Sequence, residues 1–299
     1  MANEYTYRAD HIGPLIVPAA LSQARQRRAS GEINDTELRE TEDAAIKAAV
    51  DMQRAAGVAV ISDGGFRRID QDARLNGDRL AKHELPALRA LTRKAIKVTV
   101  PAARAAAGET HDAALGRAAL VKKEIEALIA AGVDYVQLDT YGYGDPNISV
   151  EKLLQIDTAA VSGINRPAHI RIGVHFAPPS GAQPRHSLSG IAERLFQALP
   201  VDRFILPLGD AGGGFELLRA VPKGKLVVLG LISAANPALE DIDDLMARID
   251  RAAKIVDGDD LALSPAAGFG VANLISEADQ RRKLELVAEV ATRWWGFAM

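Results

Sequence analysis

The chain contains no cysteine. Disulfides, thiolate-held metals, iron–sulfur clusters and a cysteine nucleophile are excluded at the outset. It also lacks any unbroken apolar run of about 18 residues, the length a membrane-crossing helix needs, so no span is expected. The opening stretch, Met1 to Arg8, is polar and has no signal-peptide core, which makes a cytoplasmic protein the expectation. There is no excess of one charge. The 36 Lys and Arg nearly balance 39 Asp and Glu, for a net charge of −3, and the cations are scattered rather than clustered. Neither nucleic acid nor a membrane surface is an expected partner, which leaves a small-molecule substrate. Aromatic residues make up only 5% of the chain, and Trp294 and Trp295 stand together near the end. They are expected to pack against the fold or against a second copy in a homodimer.

Strand-like and helix-like segments alternate along the sequence. Runs rich in Val, Ile and Leu occupy Tyr7–Gly13, Val58–Asp63, Ile96–Pro101, Tyr135–Asp139, His169–His175, Arg203–Leu208, Leu226–Ile232 and Leu261–Ser264. Stretches of helical period lie between them: Ala113–Ala131, Val150–Ile164, Leu188–Leu199, Leu239–Val256 and Glu277–Trp294. This is the pattern of a parallel sheet. Eight alternations over 299 residues favour a single α/β domain over residues 1–299, closed as a (β/α)8 TIM barrel. An open doubly wound sheet would normally carry a Gly-x-Gly-x-x-Gly turn after a strand, and none is present. The first connection is long. Leu21–Ser30 and Thr36–Ala56 read as two helices, so residues 19–56 are expected to form a helical hairpin inserted after the first strand, with Asn34 or Asp35 capping its second helix. The Gly64–Arg93 connection is over-long too, and such a loop at the catalytic end of a barrel often forms a lid.

Chemistry on this fold sits at the carboxyl ends of the strands. Those ends offer His11, Asp63 with the following Arg67, Gln137 and Asp139 with Tyr141 and Tyr143, Asp210 beside Gly212-Gly213-Gly214, and Ser264, Ala267 and Phe269. The fifth strand-like run carries His169, Arg171 and His175 at two-residue spacing, which puts all three on one face. Ionisable groups on an apolar strand are costly to bury without a use. Arg171 offers a fork for an anionic substrate group, and Arg67, Gln137, Tyr141 and Phe269 complete the expected substrate-binding set. His169, His175 and His11 can exchange protons near neutral pH, with Asp63 or Asp139 orienting them or taking a proton themselves. Each has a plainer reading. Asp63 can cap a turn, Asp139 can balance Arg171, His11 can be a core histidine, the tyrosines can be loop aromatics, and the glycine run can be a mobile loop.

The same residues carry a resemblance. Ala9-Asp10-His11-Ile12-Gly13-Pro14-Leu15, Ile61-Ser62-Asp63-Gly64-Gly65-Phe66-Arg67-Arg68, the Gln-x-Asp strand Val136–Asp139 and the segment Leu261–Phe269 follow one another along the chain. Together they resemble short proteins related to the catalytic domain of cobalamin-independent methionine synthase. The resemblance implies a (β/α)8 barrel shared more distantly with uroporphyrinogen decarboxylase. It also implies a zinc held by a His, a Glu and two Cys that activates a thiol for methyl transfer. On this comparison His169-Ile170-Arg171 stands where the family has His-x-Cys, Ala267 replaces the second Cys and Pro207 replaces the Glu. Gly65 replaces the Glu of Asp-Gly-Glu-Phe, and Thr140 stands where a Glu commonly follows the Gln-x-Asp aspartate. A tetrahedral zinc site needs several donors, so neither zinc nor any other cofactor is expected.

Three functions follow as expectations. The first is a metal-free enzyme that performs acid–base chemistry of a lyase, hydratase, isomerase or decarboxylase kind on a small, anionic organic substrate. The second is a methyl or alkyl transferase that does not use the zinc site. The third is a barrel that binds a ligand without changing it.

Overall fold

The computed structural model describes residues 6–67, 80–103, 110–143, 148–176, 188, 190–209 and 214–296. Helices α1 (Ala19–Ala29) and α2 (Asp35–Ala56) precede strand β1 (Val60–Ile61). Then come α3 (Leu85–Leu91), β2 (Ala95–Pro101), α4 (His111–Ala130), β3 (Tyr135–Thr140), α5 (Val150–Val161), β4 (Arg171–Phe176) and α6 (Ala192–Ala198). The chain continues with β5 (Arg203–Pro207), β6 (Leu226–Ile232), α7 (Ile242–Ala253), β7 (Leu261–Pro265), α8 (Phe269–Ala272) and α9 (Glu277–Trp295). The seven strands form one parallel sheet in sequence order. That is the architecture of a TIM-barrel-like α/β fold, in which each helical connection returns the chain over the outer face.

The first expected strand, Tyr7–Gly13, is reduced to a single bridge between Ala9 and Leu263. Its backbone still hydrogen-bonds on both sides. Leu263 N donates to Arg8 O, Asp10 N to Leu263 O and Ala59 N to Ala9 O, at 2.8, 2.9 and 2.9 Å. Tyr7 has a positive φ of 49°, which breaks the extended run at its start. The Asp10 carboxylate then accepts from His11 N at 2.7 Å and bends the chain away at its end.

Helix α2 shows why these segments take their forms. Asn34 accepts from the N–H groups of Thr36 and Glu37, and Glu37 reaches back to Asn34 N, a complete capping box. Gly57 ends the helix at φ 85°, a left-handed conformation that favours glycine. Between them Ile46, Ala49, Val50, Gln53 and Ala56 make the buried stripe that lies on the sheet. At the far end of the chain Trp295 donates to Gly258 O at 3.0 Å and lies 5.3 Å from the Arg8 guanidinium, so this tryptophan packs on its own fold.

The strands stand in register. Lys97, Tyr135 and Arg171 share one level, Thr99, Gln137, Gly173 and Arg203 the next, and Pro101, Asp139, His175 and Ile205 the third, towards the carboxyl ends. The first level and its surroundings hold a buried charged cluster. Lys97 Nζ donates to Asp10 Oδ1 and to His11 O, both at 2.7 Å. Lys97 and Arg203 each lie 4.5 Å from the Tyr135 ring, which stacks on Tyr7. Gly173 makes room for this cluster, because a Cβ there would meet Arg203 Cγ at 2.7 Å and the Tyr135 hydroxyl at 2.8 Å. Gly268 serves the other end of the sheet. Its Cβ would fall 2.3 Å from Gly13 O, so only glycine lets the segment after β7 lie against Gly13-Pro14.

Candidate active site

Residues of β3 and β4 meet at the third level. Asp139 Oδ1 accepts from Gln137 Nε2 at 2.6 Å and lies 3.1 Å from His175 Nδ1. All three side chains are buried. The neighbouring Thr140 hydroxyl donates to the His175 carbonyl at 3.0 Å and fixes the two strand ends together. A carboxylate can only accept, so His175 Nδ1 must carry the proton of that contact. The second ring nitrogen, Nε2, is left as a lone-pair base. It is buried and has no hydrogen-bond partner among the described residues, and the same holds for Gln137 Oε1. This is an oriented acid–base pair at the end of the sheet where TIM-barrel chemistry takes place.

The structure does not bring His169 and Arg171 to this pair. Strand β4 begins at Arg171, and His169 lies exposed in the turn before it. Arg171 N donates to Asp134 O at 3.0 Å and its Nη1 to Ala168 O at 2.8 Å, both at the amino end of the strand. Four residues of strand separate Arg171 from His175, about 13 Å. Strand alternation sets the face of a residue, but it says nothing about which end of the sheet that residue reaches.

Arg67, expected to bind substrate, is occupied by carboxylates. Its guanidinium meets Glu42 at 3.0 Å, Glu84 at 3.2 Å and also Asp43. Burial alone would lower its pKa, but hydrogen bonds and charges from Asp43, Glu84 and Glu42 outweigh that and raise it. Asp63 Oδ1 accepts from Gly65 N at 3.0 Å, the turn-capping role. Asp63, Arg67, Glu84, Asp43, Lys47 and Leu88 line a cavity of about 340 Å³ beside α2. Phe269 opens α8, fully buried in the hydrophobic core. Tyr141 is half-buried just after β3. Tyr143 is buried, donating to Asp157 Oδ2 at 2.8 Å. Ser264 donates to the Pro265 carbonyl at 2.8 Å. Asp210, Gly212 and Gly213, and residues 68–79 of the connection read as a lid, lie outside the described residues.

His11 is a buried histidine near α2. Burial first, then the Lys97 charge, lowers its pKa from 6.5 to about 4, so it is neutral at pH 7. Gln53 and the Val60 backbone lie close enough to favour the charged ring, yet neither ring nitrogen meets hydrogen-bond geometry. Between pH 6.5 and about 4 the unfolded chain binds a proton here and the folded chain does not. Stability is therefore full above pH 6.5 and falls as pH drops through that window, by about 3 kcal/mol. Urea denaturation of the wild type and of His11→Gln at a series of pH values checks this. The variant should show a flatter acid slope, and parallel slopes would contradict it.

Sequence reasoning missed Asp10, Lys97, Tyr135 and Arg203. The signal was available, since Lys97 interrupts the apolar run Ile96–Val100 and Arg203 opens another.

The fold and site together define a class: a TIM-barrel-like α/β chain with an Asp–His pair at the carboxyl ends of adjacent strands. No protein-family model matches the chain. The uncharacterized protein YxjH of Bacillus subtilis is 27% identical over 362 aligned positions, covering 97% of this chain and 95% of the relative. YxjG of the same organism is also 27% identical, with the same coverage. Among solved structures, a vitamin-B12-independent methionine synthase-like protein from Listeria monocytogenes is 26% identical and covers 97% of this chain and 98% of its own, with a TM-score of 0.77. A B12-independent methionine synthase from Shewanella sp. W3-18-1, solved with selenomethionine, has the same TM-score and coverage at 18% identity, which speaks to the fold alone. The chain resembles cobalamin-independent methionine synthase-like proteins. Among the described residues, no helix is long and apolar enough to cross a membrane.

Proposed function

We propose that this chain is an enzyme that acts on a small organic substrate by acid–base chemistry, with His175 Nε2 as the base and Asp139 as its orienting partner. The reading rests above all on the 3.1 Å contact between Asp139 Oδ1 and His175 Nδ1, which leaves a buried nitrogen with no partner among the described residues. Such a base can remove a proton from a substrate carbon or oxygen and return it in a later step, as lyases, hydratases, isomerases and decarboxylases require. The proposal treats residues 1–299 as one domain. It takes Arg8–Asp10, bonded to Leu263 on one side and to Ala59 on the other, as the eighth stave of the barrel, with α1 and α2 inserted after it. Arg171 has no part in holding the substrate at this site.

The zinc of the methionine synthase resemblance does not fit these residues. With β4 starting at Arg171, a His-x-Cys pattern at the strand's carboxyl end falls on His175-Phe176-Ala177. The chain has no cysteine to supply there or at Ala267. The histidine that remains offers one nitrogen, Nε2, and a tetrahedral zinc site needs several donors. A second reading, methyl or alkyl transfer without that zinc, draws on the 26% identity to the Listeria monocytogenes protein. A turnover screen separates the two. Purified protein is incubated with hydroxy, keto and amino acid pools, with and without methyl donors, before and after a chelator. The acid–base reading expects conversion that needs no methyl donor and survives the chelator. Stoichiometric zinc whose removal stops turnover would sink it.

A further inference from the structure

Two acceptors of the proposed site have no partner among the described residues. Gln137 Nε2 donates to Asp139 Oδ1 at 2.6 Å, and this orientation of the amide is dictated by chemistry, since turning Oε1 towards a carboxylate would set two acceptors face to face. Gln137 Oε1 is thereby committed to accept, as is His175 Nε2 once Nδ1 serves Asp139. Both are buried without a partner among the described residues, and both belong to side chains anchored on the same carboxylate oxygen. Two such buried acceptors call for donors, which a bound ligand can supply.

We infer that the substrate presents a neutral hydroxyl-bearing unit, of diol or polyol type, to Gln137 Oε1 and His175 Nε2. This deepens the acid–base reading and rests on it. A carboxylate or phosphate brings acceptors to a place that already holds acceptors and the Asp139 charge, so an anion is disfavoured. An ammonium brings donors, but its charge would oppose the imidazole as it takes up a proton. A hydroxyl satisfies both conditions. Its O–H donates to Nε2 and is itself the proton to be moved, and a neighbouring hydroxyl donates to Oε1.

The test uses the intact protein labelled with ¹⁵N-histidine. The chain has six histidines, and loss of one pair of ring resonances in His175→Gln assigns His175. The wild type is titrated at pH 7.5 with erythritol, acetate, inorganic phosphate and methylammonium in turn. Erythritol should move the Nε2 resonance saturably, and Gln137→Met should weaken that titration about fivefold, the loss of one neutral hydrogen bond. If acetate, phosphate or methylammonium moves the resonance and erythritol does not, the hydroxyl assignment is wrong and the acid–base reading stands. If no probe moves it, the assignment is equally wrong. Failure of the underlying reading appears elsewhere, in the unliganded spectrum, as a neutral ring that carries its proton on Nε2. Should Gln137→Met not fold, the wild-type titration alone decides.

Discussion

In Asp139→Asn, kcat for the substrate that the turnover screen identifies should fall about 10²–10⁴-fold while the protein stays folded. Asparagine occupies nearly the same volume, and its carbonyl can stand where the one oxygen accepts from both Gln137 and His175. It carries no charge, however, so the imidazolium that forms when Nε2 takes up a proton loses its counter-charge. The base is weakened without removal of any ring atom. His175→Gln should cost at least as much, because it removes the nitrogen outright. The discriminating readout is the split between kcat and KM. An interaction used in moving the proton should depress kcat and leave KM close to wild type. A fall in thermal stability with proportionate loss of soluble protein would point instead to a strut between β3 and β4. Wild-type kcat in folded Asp139→Asn would end the catalytic assignment of this pair.

Much of the scaffold was legible because period and capping are local. The runs at Ile96–Pro101, Tyr135–Asp139 and Leu226–Ile232 are rich in β-branched and apolar residues, and strands lie there, over Ala95–Pro101, Tyr135–Thr140 and Leu226–Ile232. Asn34 and Glu37 announce the start of α2 three residues apart. What could not be read was long-range. Arg67 looks like a free cation in a loop, but Glu42, Asp43 and Glu84 claim it from 25, 24 and 17 positions away. Phe269 reads as a substrate-binding residue at a strand end, and it lies buried in the hydrophobic core. The run that begins at His169 was read as one continuous strand, yet Ile170 N donates back to Pro167 O at 3.1 Å and closes a turn there. That turn delays the strand by two residues and puts His169 in solvent.

The same difficulty applies to Asp139. The Gln-x-Asp spacing marks it in sequence, but its partner is on the next strand, 36 residues away. Only the register, which sets Asp139 beside His175, makes the pair. The plain reading of this aspartate, an ion pair with Arg171, fails by about 13 Å of strand. The contact that forms is the one that gives a histidine a defined tautomer.

Asp10→Ala should cost about 3–5 kcal/mol of stability, the largest loss expected from any single change at the first level of the sheet. The Asp10 and Lys97 side chains are essentially excluded from solvent, at 0% and 1% exposure. Burial drives the Lys97 pKa down, and the Asp10 charge and hydrogen bond act against that. Without Asp10, Lys97 would keep the His11 carbonyl, the face of Tyr135 and the weaker pull of the Asp139 charge, with the Arg203 guanidinium on the same ring. Two buried cations around one neutral aromatic ring is an arrangement the fold can relieve only by deprotonating Lys97 or by opening. A total stability of about 5–15 kcal/mol leaves little margin for either. Equilibrium urea unfolding at pH 7.5 measures the loss. The double variant Asp10→Leu/Lys97→Met then separates charge from packing. If the cost is an uncompensated ammonium, the second substitution should return most of the lost stability, because an apolar pair of similar volume needs no counter-charge. If the double variant is as unstable as Asp10→Ala, or worse, the cluster is held by shape and by the His11 carbonyl contact, and the electrostatic account of this end of the sheet is wrong.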